Sequence, residues 1–250
     1  TDLFRDKNLR VGTTIILLSY IVMCGGLFAV SLFLQSVLDL NAFNTGLTTL
    51  PLTLGLLIFA VSAPSLTGKL NHKTIMAVGS IIAIIGCLML IYQFRLETTM
   101  YDLMPGMFIL GSGLGFIMAL STDIALINIS DENQNNASGI ATVSQTLGES
   151  MGTAIIGVIL ILGVIGGIVD AIDIYAPQYS ENDHIHQDIY NYFQKMGNLD
   201  ELKSQESIVI AAADIIVQNA MGFEMIVTTI LMGVVFALTL RLDDTRIKIQ

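Results

Sequence analysis

The sequence contains no tryptophan, and only 13% of its 250 residues are charged. A soluble domain carries about 25%. Such sparse charge, beside 53% hydrophobic residues, excludes an ordinary solvated globule and points to a polytopic membrane protein. Without Trp, any aromatic belt at the water boundary must come from Tyr and Phe. Cys24 and Cys87 both fall inside apolar runs. They read as buried free thiols, and no metal-ligand spacing surrounds them, so neither metal nor other cofactor is expected. Basic residues are also few: 11 Lys and Arg stand against 21 Asp and Glu, for a net charge of −10. Most of that excess lies in 170–221, so it describes a loop, and nothing suggests a nucleic-acid partner. The opening TDLFRDKNLR lacks the order of a signal peptide.

Catalytic signatures are missing too. Gly111-Ser112-Gly113 is followed by Leu114 where an intramembrane aspartyl protease needs Asp. His-Glu-x-x-His and a phosphate-binding loop are both absent, so no enzyme is expected.

What is present is a series of long apolar runs. A helix rises 1.5 Å per residue, so about 20 apolar residues cross the roughly 30 Å of hydrocarbon. Six runs qualify, at about 11–38, 44–67, 74–94, 103–129, 138–169 and 222–240. No alternating β pattern appears. The fold class expected is an all-α bundle of six transmembrane helices, with a polar turn at 130–137 and an extracellular acidic loop at 170–221. Within that loop, His184 and His186 read as solvated. The stretch 189–204 suggests a short surface helix, and 207–220 is apolar enough to lie on the interface or extend span six. Pro51 and Pro64 remove backbone donors in span two, and a kink is expected near Pro51.

Orientation follows from Lys and Arg. With the N-terminus inside, Arg5, Lys7, Arg10, Lys69, Lys73, Arg241, Arg246 and Lys248 are cytoplasmic, and Arg95, Lys195 and Lys203 are outside.

Span four is crowded with glycine. Gly111-x-x-x-Gly115 is the minimal close-packing pattern, and Gly148-x-x-x-Gly152 in span five is a second. Span four also holds Asp123, an ionisable group that either faces a cavity or snorkels to water beside Ser121, Thr122 and Asn128. Span five is longer than a bilayer. Thr142, Gln145, Thr146, Glu149 and Thr153 recur along one stripe of its first half. Either the helix enters the membrane near Ser138 with this stripe on a cavity, or the span is only 151–169 and Glu149 is interfacial. Hydropathy slightly favours the second.

Four stretches share an order and spacing: FRDKNLR, LFLQSVLDLNAFNTGLTTLPLTLG, MPGMFILGSGLGFIMALS and ASGIATVSQTLGESMGTAIIG. Together, over about residues 3–169, they resemble the C-terminal half of a major facilitator superfamily transporter. Within that superfamily they are similar to the fourteen-span drug:proton antiporters of prokaryotes. The resemblance implies a multi-pass cell-membrane protein with cytoplasmic termini, and a second, N-terminal six-helix half beyond this chain. Its partners would be protons, drug-like molecules and lipid. It also implies that helices one and four line the cavity, two and five meet the other half, and three and six face lipid. Spans one, four and five hold most of the intramembrane polar groups. Spans three and six hold few, namely Ser80, Cys87, Thr228, Thr229 and Thr239.

Two features depart from the family pattern. Gly68-Lys69-Leu70-Asn71-His72-Lys73 stands at the gate motif with Asn71 in place of its acid, and Glu149 occupies a position commonly small. Proton-coupling candidates are thus Glu149 and Asp123, since a carboxylate in low dielectric can load and release a proton near neutral pH. Cavity candidates are Tyr20, Met23, Gln35, Phe116 and Gln145, although Tyr20, Met23 and Phe116 also suit plain packing. A carrier for another small molecule and a non-transporting six-helix scaffold are the alternatives.

The basic bias predicts a labelling pattern. In a chain free of Cys24 and Cys87, Ile185→Cys should react with impermeant reagent from outside, and Asn133→Cys only from inside. Labelling of Asn133→Cys from outside would contradict this orientation.

Overall fold

A computed structural model describes residues 6–175 and 206–242. Its helices are α1 (Lys7–Ser36), α2 (Ala42–Leu66), α3 (His72–Gln93), α4 (Met100–Leu126), α5 (Asp131–Tyr175) and α6 (Glu206–Leu240). All six are long and apolar enough to cross a membrane, and there is no strand among the described residues.

Local chemistry sets the starts. The Asp6 carboxylate accepts from the Leu9 N–H at 2.8 Å, and the Asn41 side chain from the Asn44 N–H at 2.9 Å. At α4 the Asp102 carboxylate reaches back to the Thr99 N–H at 2.9 Å. Each satisfies a donor that the first helical turn leaves unpaired. α2 runs through both Pro51 and Pro64 without a break.

Helix boundaries differ from expectation at two places. The polar stretch 130–137, expected as a turn, is helical from Asp131 onward. It contains neither Gly nor Pro, and Asp131 and Glu132 sit in the first turn, where acids complement the helix dipole. Second, the helix expected at 222–240 begins at Glu206, and α5 continues to Tyr175. The apolar 207–220 stretch is thus an extension of the last helix. No breaker interrupts it before Gly222. His184, His186 and the surface helix suggested at 189–204 lie outside the described residues.

The helices alternate in direction, and contacts tie their ends. At one end Asn128 donates to the Asp6 carboxylate at 3.3 Å, and the Lys73 ammonium to the Leu242 carbonyl at 3.3 Å. At the other, the Leu96 N–H donates to Asp214 at 3.0 Å. There Phe33 meets Phe94 edge to face at 5.0 Å.

α4 is the central helix. It packs on α1, α2 and α3, and every residue from Leu110 to Ile117 is buried. Its glycines explain the closeness. A Cβ on Gly111 would collide with the Leu52 carbonyl of α2, and one on Gly115 would lie 2.5 Å from the Leu56 carbonyl. On Gly113 it would lie 2.5 Å from the Gly79 carbonyl of α3. Residues two apart point about 200° apart around a helix, so these glycines admit α2 on one side and α3 on the other.

Gly111→Ala should therefore overpack the α2–α4 contact and lower stability by about 1–3 kcal/mol. Gly233→Ala has open space around its Cβ and should gain up to about 1 kcal/mol of helix propensity. Thermal unfolding in detergent compares the two. Equal effects would contradict the packing.

Candidate functional site

A second glycine crossing builds the site. On α5, a Cβ on Gly148 would lie 2.6 Å from the Leu17 carbonyl, and one on Gly152 would lie 2.8 Å from the Ile21 carbonyl. Both carbonyls belong to α1. A Cβ on Gly25 of α1 would return the contact, 3.0 Å from the Gly152 carbonyl. With the backbones this near, the side chains flanking the glycines face one another.

Those side chains are Tyr20 and Cys24 on α1, and Gln145 and Glu149 on α5. The Gln145 amide donates to the Glu149 carboxylate at 3.1 Å. Glu149 acts electrostatically on the Tyr20 hydroxyl and the Cys24 thiol. All four are half-buried. α5 is unbroken from Asp131, and Gly148 crosses α1 at Leu17–Ile21, near the middle of a 30-residue helix. Glu149 thus stands near the mid-height of the bundle.

The stripe beside Glu149 is open. Thr142, Thr146, Ser150 and Thr153 are exposed, and each hydroxyl donates to a carbonyl one turn back, at 3.0–3.2 Å. Bonding back to their own helix leaves these hydroxyls free to accept from a ligand or water. A carboxylate steadied by an amide, with hydroxyl acceptors along one edge and a phenol opposite, can hold a proton or a cationic group.

The other candidates stand apart. Met23 is half-buried and packs against the apolar core. Phe116 is 7% exposed and lies edge-on to Phe59 of α2 at 5.0 Å, a packing environment. Gln35 is exposed in the last turn of α1, fifteen residues or about 22 Å along the helix from Tyr20. Asp123 is exposed in the last turn of α4. Ala125, two residues on, touches Gly12, so Asp123 lies on the order of 10 Å nearer the end of the bundle than Tyr20. The structure therefore groups Tyr20, Gln145 and Glu149, adds Cys24, and leaves Asp123, Gln35 and Phe116 elsewhere. Among the described residues no three His, Cys, Asp or Glu side chains gather as a metal site would require.

One carboxylate escapes the sequence reading. Glu224 of α6 is fully buried. A span starting at 222 puts it at the interface, where an acid is ordinary. The apolar 207–223 run ahead of it is the signal that it lies deep.

The chain belongs to the Major Facilitator Superfamily, whose family model matches residues 1–153. This is a family of membrane carriers, not enzymes. The chain is 26% identical over 168 residues to the probable actinorhodin transporter of Streptomyces coelicolor, covering 66% of this chain and 29% of that protein. It is 26% identical over 158 residues to the multidrug resistance protein Stp of Mycobacterium tuberculosis, covering 63% and 29%. With the multidrug efflux pump LfrA of Mycolicibacterium smegmatis it shares 28% over 142 residues, covering 57% and 28%. The chain thus spans less than a third of the length of these relatives. The protein is a multi-pass membrane protein of this superfamily.

Proposed function

We propose that this chain supplies the C-terminal half of a proton-coupled exporter of drug-like molecules, of the fourteen-span antiporter kind, working by alternating access. The observation that carries this reading is Glu149: a half-buried carboxylate at the mid-height of the bundle, on an open polar stripe, bonded to Gln145. A transporter of this type binds substrate near the midplane between two helical halves. Relatives that match the same region bear the names of drug and antibiotic exporters. The outward faces of α2 and α5 carry exposed Leu50, Leu54, Leu57, Leu147, Met151 and Ile155, apolar surface of the kind a second half would cover. Lys7, Arg10, Lys69, Lys73 and Arg241 gather at the end tied by the Lys73–Leu242 and Asn128–Asp6 bonds, which supports cytoplasmic termini.

The mechanism follows from competition at one carboxylate. Protonated, Glu149 is neutral and gives a cationic drug no counter-charge. Deprotonated, it attracts the drug, with Gln145 steadying one carboxyl oxygen and the hydroxyl stripe offering acceptors. Tyr20 supplies aromatic contact. Neither ligand needs to meet the other for their binding to be linked.

Glu149→Gln in the full-length transporter keeps size and hydrogen bonding but removes titration. Proton-driven efflux should fall at least about tenfold, within the 5–150-fold range that 1–3 kcal/mol of coupling spans. Binding of a cationic drug should weaken, binding and energy-independent exchange of an uncharged substrate should persist, and Asp123→Asn should leave efflux nearly unchanged. Full pH-dependent efflux by Glu149→Gln would remove this residue from the mechanism.

A further inference from the structure

Glu224 lies on the side of α6 that meets the other helices, with 0% of its surface exposed. One carboxyl oxygen accepts from the Thr228 hydroxyl at 2.9 Å, a single turn along α6. The other, Oε2, has no partner among protein groups. α6 packs on α1, α3 and α5. From α3, the buried Cys87 thiol is the titratable group facing Glu224. From α5, Asp170 is engaged by Asn219 at 2.7 Å, five residues or about 7 Å before Glu224 along α6. From α1, Tyr20 and Cys24 lie beside Glu149 on the opposite contact. Among the described residues no cation acts on Glu224.

An ionised carboxylate here would be a charge with one hydroxyl donor and no counter-ion. Desolvation costs several kcal/mol per buried ion, and nothing in this interface returns it. A buried group in that position takes up a proton instead. Thr228 fits this form, because its hydroxyl donates to the carbonyl oxygen and leaves the acid O–H on Oε2.

We propose that Glu224 is a proton-binding site of the α3–α6 helix pair, separate from the α1–α5 site at Glu149. Holding the proton, Glu224 is a neutral acid over which α3 and α6 close. Losing it, the carboxylate must recruit water, and the two helices must part to admit it. Proton occupancy is thereby linked to closure of this helix pair.

Infrared spectroscopy of the purified chain in lipid tests this. Near neutral pH the wild type should show the carbonyl stretch of a protonated carboxylic acid. Glu224→Gln should lack it and Glu149→Gln should retain it. Thr228→Val should move the band to higher frequency, since its carbonyl loses a donor, and this reports on Glu224 even if the Gln variant fails to fold. The same band in Glu224→Gln or an unmoved band in Thr228→Val would each overturn the proposal.

Discussion

Hydrocarbon tails are as apolar as leucine, so membrane helices gain nothing by hiding apolar surface from lipid and must associate through direct backbone-level contact. This bundle meets that constraint with glycine set against carbonyl oxygen. Gly111 and Gly115 admit the α2 backbone, Gly113 admits α3, and Gly148 and Gly152 admit α1. The α2–α4 and α1–α5 crossings use the same device, an i, i+4 glycine pair facing carbonyls one turn apart.

The α1–α5 crossing also fixes the candidate site. Because Gly148 rests on the middle of α1, its neighbour Glu149 stands beside Tyr20 and Cys24 and away from the ends of the bundle. Polar groups at that depth persist only where their donors are satisfied. The threonine and serine hydroxyls meet this locally by bonding one turn back along α5. Gln145 meets it by bonding Glu149. The polar stripe therefore costs the helix little and remains able to accept.

Much of this was legible in the sequence because membrane spans are written as apolar length, and close crossings as glycine spacing. Six spans, the two glycine pairs and the Thr142–Thr153 stripe were readable from those signals alone. What stayed hidden depends on neighbours or on helix ends. The stretch 130–137 reads as a turn because it is polar, yet polarity does not end a helix when no Gly or Pro is present. Glu224 falls at the very start of a span begun at 222; sixteen further residues of α6 precede that start, so it lies well inside the helix, and the helices packed against α6 bury it. Phe116 and Gln145 look equally suited to a cavity by type. Only the packing separates them, by setting Phe116 against Phe59 and Gln145 beside an open stripe.

The central claim is that Glu149 faces a water-filled, drug-accessible space at mid-membrane depth. Substituted-cysteine accessibility tests it most directly. Glu149→Cys, in the full-length transporter without Cys24 and Cys87, should react with a charged, water-soluble thiol reagent, and bound drug should protect it. Reaction with lipid-soluble reagents alone, without protection by drug, would contradict the account.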